Sequence, residues 1–133
     1  MIVGVGVDLV HDGQVPAQVL QPGDPFFERT FTECEREAGG LRADPASFFR
    51  GRFAGKEAVF KALGACSNDL KRWDAIEIAA DGNGAPVVKL HGAMATHAAA
   101  RGIDSVKVSL SSDEGCHLAF CIASNEGTSQ ERT

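Results

Sequence analysis

Apolar and polar positions change their period several times along the chain, and each change marks an element. Ile2 to Val10 is a β-branched apolar run and predicts a strand. A weaker stretch punctuated by Pro and Gly follows, from His11 to Pro25. Thr32-x-x-Glu35 reads as a capping box that opens a short helix, and Gly39-Gly40 stops it. The clearest helix covers Pro45 to Leu63, with Asp44 as N-cap, Pro45 in the first turn and Gly64 as the stop. Phe49, Phe53, Phe60 and Leu63 recur along it at helical spacing and predict one buried face.

Beyond this helix, Ala75 to Ala80 and Pro86 to Leu90 read as two strands joined by Asp81-Gly82-Asn83-Gly84, a strong hairpin signal. Trp73, just ahead of them, reads as a core anchor. An alanine-rich helix from Gly92 to Arg101 ends at Gly102. Val106, Val108 and Leu110 alternate with polar residues in a further strand. A tight turn at Ser112 to Gly115 then leads into the last strand, His117 to Ala123. Hairpins rather than repeated crossovers predict an α+β single domain, with a mainly antiparallel sheet and one long central helix. The domain is expected to cover residues 1–123, and 124–133 to form a disordered polar tail.

Composition narrows the class. The 133 residues suit one domain. With 44% apolar and 23% charged residues, an intrinsically disordered chain is excluded. No apolar run approaches the roughly 20 residues of a membrane-spanning helix. The first eight residues lack the basic start of a signal peptide, so a cytoplasmic protein is expected. Thirteen basic against eighteen acidic side chains give a charge of −5, which argues against nucleic-acid or anionic-membrane partners. Cys34, Cys66, Cys116 and Cys121 show neither zinc nor disulfide spacing and read as reduced thiols packed in the core. His11, His91, His97 and His117 share no metal-ligand spacing and read as surface or partly buried polar residues.

Two segments carry candidate chemistry. Gly4-Val5-Gly6-Val7-Asp8 lacks the third glycine and the distal acid of a dinucleotide fold. What remains is a carboxylate on an apolar strand, which needs a compensating partner. Asp8 either caps the following turn or serves as a ligand for a hard cation such as Mg²⁺. In the long helix, Arg50, Arg52, Lys56 and Lys61 stand against one acid, Glu57. Glu57 and Lys61, four apart, are either a surface pair of a few tenths of a kcal/mol or part of a site. Gly55 costs about 1 kcal/mol mid-helix relative to alanine and predicts a close approach to the backbone.

Gly6-Val7-Asp8, the run Arg52-Phe53-Ala54-x-Lys56-Glu57-Ala58-x-x-Lys61 and Ser109-Leu110-Ser111 together resemble the holo-acyl carrier protein synthases, which are 4′-phosphopantetheinyl transferases. Arg29-Thr30-Phe31-Thr32 with Glu35, Ala62-Leu63-Gly64, Trp73-x-x-Ile76-Glu77 and Gly84-x-Pro86 support the likeness, which spans residues 2 to 123. The resemblance implies transfer of phosphopantetheine from coenzyme A to a carrier-protein serine, with release of adenosine 3′,5′-bisphosphate. Asp8 and Glu57 would hold Mg²⁺, Glu57 or an ordered water would accept the serine proton, and Lys61 would stabilise phosphate charge.

The resemblance also places coenzyme A contacts at Arg52, Lys61, Gly64 and Pro86. Lys56 is either a further contact or a solvated helix side. Ser109, Ser111 and Ser112 are either phosphate ligands or simple hairpin chemistry. Two departures stand out. Ser112 occupies the place where the family usually carries a histidine, and His11 to Gln21 holds no Lys or Arg where the family has several arginines. The second departure suggests a different docking mode, to a carrier domain embedded in a multidomain fatty-acid synthase rather than a free acyl carrier protein. The family likeness further implies a homotrimer with sites between subunits. The rival reading is a non-catalytic coenzyme A-binding module of the same fold.

Overall fold

A computed structural model describes residues 1–70 and 72–127. Its elements are β1 (Ile2–His11), α1 (Pro25–Thr30), α2 (Glu33–Gly40), α3 (Pro45–Ala62), β2 (Ile76–Ala80), β3 (Pro86–Leu90), α4 (Gly92–Ala100), β4 (Ser105–Asp113) and β5 (Cys116–Ser124). β1, β5 and β4 form an antiparallel sheet in that order, and β2 and β3 form a separate hairpin. The expected α+β architecture is thus present, with α3 as the central helix.

Local chemistry explains the boundaries. Thr32 Oγ1 accepts the Glu35 N–H at 3.2 Å while Glu35 Oε1 accepts the Thr32 N–H at 2.8 Å, completing the capping box of α2. Asp44 caps α3 by accepting the Ser47 N–H at 3.2 Å. The β2–β3 turn is held by Asp81 Oδ1, which accepts the N–H groups of Asn83 and Ala85 at 2.8 and 3.0 Å. One helix escaped the sequence reading: α1 opens with Asp24 as N-cap and Pro25 in the first turn, the same signature as Asp44-Pro45.

The core sits between α3 and the three-stranded sheet. Phe49, Val59 and Leu63 are buried there, and Phe27, Phe31 and Phe49 cluster with ring centroids 4.9–5.5 Å apart. Such ring pairs add about 0.5–1.5 kcal/mol each beyond area burial. Phe53 and Phe60 instead meet Trp73 edge-on at 5.5 Å, on the partly buried margin of the core. Gly4 and Gly6 have no room for a side chain. A Cβ on Gly4 would overlap the Ala62 carbonyl oxygen, and one on Gly6 the Ala58 carbonyl. These two glycines let α3 lie backbone-close against β1.

Gly55 has a related cause: a Cβ there would run into the Ile78 side chain and crowd Leu110. The close approach that its sequence position predicted is therefore made by core side chains. Of the four cysteines, only Cys121 is buried, and burial pushes its thiol up to about 12; Cys34 and Cys66 are exposed, against the expectation of core packing. At the C-terminus, β5 runs one residue past the expected boundary. The Met1 ammonium donates to the Asn125 carbonyl at 2.7 Å, so the start of the expected tail is tied to the chain's first residue. Positions 128–133 of that tail lie outside the described residues.

Candidate active site

Along β1 the residues facing α3 are Gly4, Gly6, Asp8 and Val10, because strand side chains alternate. The small pair brings the helix in, and the acid that follows meets it. Asp8 Oδ1 accepts from Lys61 Nζ at 2.9 Å, and Lys61 also donates to the Val7 carbonyl at 3.0 Å. Asp8 Oδ2 is buried and has no donor other than the Glu57 carboxyl. Beside it lies the Glu57 carboxyl, pushed up to about 8 by desolvation first, then by a side-chain hydrogen bond with Asp8 and by the Asp8 charge, with Lys61 opposing. Two carboxylates sharing one partly dry corner do not both ionise cheaply with Lys61 as their single cation.

Of the expected residues, Arg52, Ser111 and Ser112 gather at the other end of α3, together with Arg42 and Phe48, which were not expected there. Arg42, Arg52, Phe48, Ser111 and Ser112 line a cleft of about 350 Å³ between the N-terminal half of α3 and the end of β4. The Arg42 and Arg52 guanidiniums lie 4.7 and 4.5 Å from the Phe48 ring centroid. Desolvation, reinforced by Arg42, holds Arg52 below its ordinary value, although Glu35 opposes. Arg52 Nε is spent on the Ile78 carbonyl at 3.1 Å, which leaves the rest of the guanidinium facing the cleft. Paired guanidiniums beside hydroxyls suit a phosphate.

Lys56 requires a correction. Its ammonium is fully buried, donating to Glu35 Oε1 at 2.8 Å, to the Trp73 carbonyl at 3.4 Å and to the Ile76 carbonyl. Burial lowers its pKa, and Glu35 opposes that shift. Neither a solvated helix side nor a nucleotide contact fits, since the side chain ties α2, α3 and β2 together. The four cations of α3 thus have separate tasks. Arg50 donates to the Val15 carbonyl at 2.8 Å and faces Asp12 at 3.4 Å, Arg52 lines the cleft, Lys56 is core and Lys61 meets Asp8.

The remaining expected ligands are dispersed. Ser109, outside the cleft, sits opposite Phe120 on the outer face of the sheet, whereas Ser112 faces the other way. Gly64 ends α3 at φ +65° beneath the Arg101 guanidinium, which donates to the Leu63 carbonyl at 2.7 Å. Pro86 opens β3, opposite Ala80. Neither lines the arginine cleft. Two residues were missed. Arg42 sits in the loop after α2 with no periodic signal, and buried His117, read as surface or partly buried, bonds Asp12 and Ser112.

The α+β scaffold thus carries a cleft lined by two arginines and, apart from it, two adjacent carboxyls. The sequence matches the family model of the 4′-phosphopantetheinyl transferase superfamily over residues 4–121, and the chain belongs to that superfamily. It is 39% identical to a holo-[acyl-carrier-protein] synthase of Desulforudis audaxviator over 99% of this chain and the whole of that one. It is also 43% identical, over 77% of its own length, to a segment forming 5% of the fatty acid synthase subunit alpha of Penicillium patulum. Among solved structures, the ACPS–CoA complex of Chronobacterium ammoniagenes superposes with a TM-score of 0.75 at 31% identity, covering 90% of this chain and 95% of that one.

Proposed function

We propose that the chain carries out Mg²⁺-dependent transfer of 4′-phosphopantetheine from coenzyme A to a serine of an acyl carrier protein, in the cytoplasm, in support of fatty-acid synthesis. The reaction is that of a holo-[acyl-carrier-protein] synthase. The observation that carries the metal reading is the buried Asp8 Oδ2, which has no donor other than the Glu57 carboxyl beside it. Two convergent carboxylate oxygens suit Mg²⁺, which takes its other ligands from phosphate and water. Asp8 and Glu57 would hold it, and the cation supplies charge neutralisation to the pyrophosphate. No group of three or more His, Cys, Asp or Glu side chains offers a rival metal centre among the described residues.

The acceptor serine oxygen forms a bond to the β-phosphorus, and the bond from that phosphorus to the bridging oxygen breaks, releasing adenosine 3′,5′-bisphosphate. Lys61, about half exposed and already at Asp8, is placed to meet charge on the reacting phosphates. Glu57 or an ordered water takes the serine proton. Arg52, Arg42 and Ser112 hold the nucleotide phosphates in the cleft.

The cleft lining does not include Asp8, Glu57 or Lys61, which supports a site completed by a second copy. Val5, Val7, Leu9, Leu118 and Phe120 are exposed on the outer face of the three-stranded sheet, with Val7 opposite Phe120 and Leu9 opposite Leu118. An apolar face of that kind fits packing between copies in a homotrimer. The carrier is free or embedded; the basic-free stretch from His11 to Gln21 favours an embedded domain, as does the likeness to a synthase subunit.

Intact-mass spectrometry tests the reaction. An apo free carrier and an excised synthase carrier domain are each incubated with the protein, coenzyme A and Mg²⁺. Addition of one phosphopantetheine arm, abolished by chelator, is expected. Coenzyme A binding with no addition to either carrier would leave only the non-catalytic module.

A further inference from the structure

The transfer reaction as described gives no task to the buried ring of His117. His117 is 3% exposed and stands directly across the β4–β5 pair from Ser112. Its Nδ1 lies 2.8 Å from Ser112 Oγ and its Nε2 lies 2.8 Å from Asp12 Oδ1. Asp12 is anchored in turn by Arg50 at 3.4 Å, and its backbone N–H donates to the Gly115 carbonyl at 2.9 Å. The far end of this chain of contacts is therefore fixed to α3 and to the β4–β5 turn. The near end, Ser112, opens on the cleft of Arg42 and Arg52.

The donor and acceptor roles follow from elementary bookkeeping. The hydrogen bond from His117, with the charges of Arg50, His117 and His11, holds the Asp12 carboxyl below its usual value, although burial opposes. An ionised carboxylate only accepts, so Nε2 carries the proton that faces Asp12. If the ring holds that proton alone, Nδ1 accepts the Ser112 hydroxyl proton, and the hydroxyl has no donor left for the cleft. If Nδ1 is protonated as well, it donates to Ser112 Oγ and the hydroxyl proton turns outward. A phosphate oxygen accepts only, so a phosphate in the cleft selects the second arrangement.

We propose that His117 is a positioning residue that orients the Ser112 hydroxyl as a donor to a coenzyme A phosphate held by Arg42 and Arg52, with Asp12 fixing the ring. The proposal rests on the reading of the cleft as the coenzyme A site. It assigns a single purpose to three side chains that sequence spacing leaves unconnected.

The test combines calorimetric titration of adenosine 3′,5′-bisphosphate and coenzyme A into the full chain with steady-state transfer kinetics. Ser112→Ala is expected to raise the coenzyme A KM about tenfold with little change in kcat, the scale of one hydrogen bond to a charged group. His117→Ala does the same, and the double variant loses no more than either single one, because the histidine acts through the serine. His117→Asn, whose amide donates near the Nδ1 position, recovers most of the affinity.

Losses that multiply in the double variant, or wild-type KM in Ser112→Ala, would overturn the proposal and leave His117 a tie between strands. Should His117→Ala fail to fold, Ser112→Ala and His117→Asn decide the matter alone. Wild-type protein that binds neither nucleotide would instead overturn the reading of the cleft, and this proposal with it.

Discussion

Two clusters of charge share helix α3 and are finished in opposite ways. In the first, Lys56 donates to Glu35 and to the carbonyls of Trp73 and Ile76, while Glu35 accepts the N–H groups of Thr32 and Ile78. Both side chains are fully buried, and every polar group has a partner. In the second, one Asp8 carboxylate oxygen has no donor other than the Glu57 carboxyl, Glu57 is driven toward its neutral form and Lys61 stands half exposed. A satisfied buried pair adds rigidity and asks for nothing more. An unsatisfied one holds unfavourable electrostatics in reserve, to be relieved by a cation and a phosphate. The same residue types one helical step apart therefore make framework in one place and the proposed reactive centre in the other.

The largest expected effect breaks the second cluster. Asp8→Ala and Glu57→Ala should each lower transfer by more than about 10²-fold, the scale of a lost general base or charge-stabilising group. Their melting temperatures should stay near or above wild type, because removing either acid relieves the crowded pair. Carrier modification followed by intact mass, with a thermal melt alongside, reads both quantities. Full activity in a folded variant would remove the metal and base assignments. Breaking the first cluster should do the reverse. Lys56→Met leaves Glu35 as a buried, uncompensated anion and should cost about 3–5 kcal/mol, read as a shifted denaturation midpoint. The KM for coenzyme A in the fraction that remains folded should change little.

The contrast was only half legible in the sequence. Asp8 stood out as an acid on an apolar strand, and Glu57 and Lys61 as a pair on one helical face, but capping and a surface pair stayed open for them until the family resemblance joined the three. Lys56 did not stand out. Helical periodicity assigns a charged residue to the solvent side, and its partner Glu35 lies 21 residues away, recognisable only as a capping residue. Burial of that pair is decided by how α2 and β2 close over α3, which no local pattern encodes. The elements were legible wherever a cap or a turn signalled them, as at Thr32, Asp44 and Asp81. Helix α1 was lost because Pro22 and Gly23 precede a segment of six residues, too short to show a period. Gly4 and Gly6 were rightly denied a nucleotide role, but the atoms they make way for lie in α3 and are invisible along the strand.

Those glycines allow a finer break. Gly6→Ala places a Cβ against the Ala58 carbonyl and the Ala62 nitrogen, atoms of a helix backbone that cannot rotate away. Overpacking of this kind costs about 1–3 kcal/mol. Because the displaced helix carries Glu57 and Lys61 away from Asp8, transfer should fall by more than the stability loss explains. Activity measured well below the melting temperature separates the two. A variant that loses stability but keeps wild-type kcat would mean that the spacing of β1 and α3 is not critical to the site.

The smallest expected effect sharpens the comparison through pH. Glu57 stands at about 8 in the folded chain against an ordinary value of 4.5. Between those values the native state binds a proton that the unfolded chain has released, so stability falls as pH rises through this window. Asp12 has the opposite sign. Its carboxyl is lowered in the folded state, so its contribution is present above its ordinary value and is lost only as pH falls below it. The two windows therefore do not mask each other. Melting temperature measured in chelator from about pH 5 to about pH 8 should decline in the wild type and flatten in Glu57→Gln. Added Mg²⁺ should raise the wild-type curve most at the alkaline end, where both carboxylates are free to bind it, and should leave Glu57→Gln nearly unmoved. A wild-type curve that is flat in chelator would show that Asp8 and Glu57 do not crowd each other, and the reserve that distinguishes this cluster from Glu35 and Lys56 would vanish.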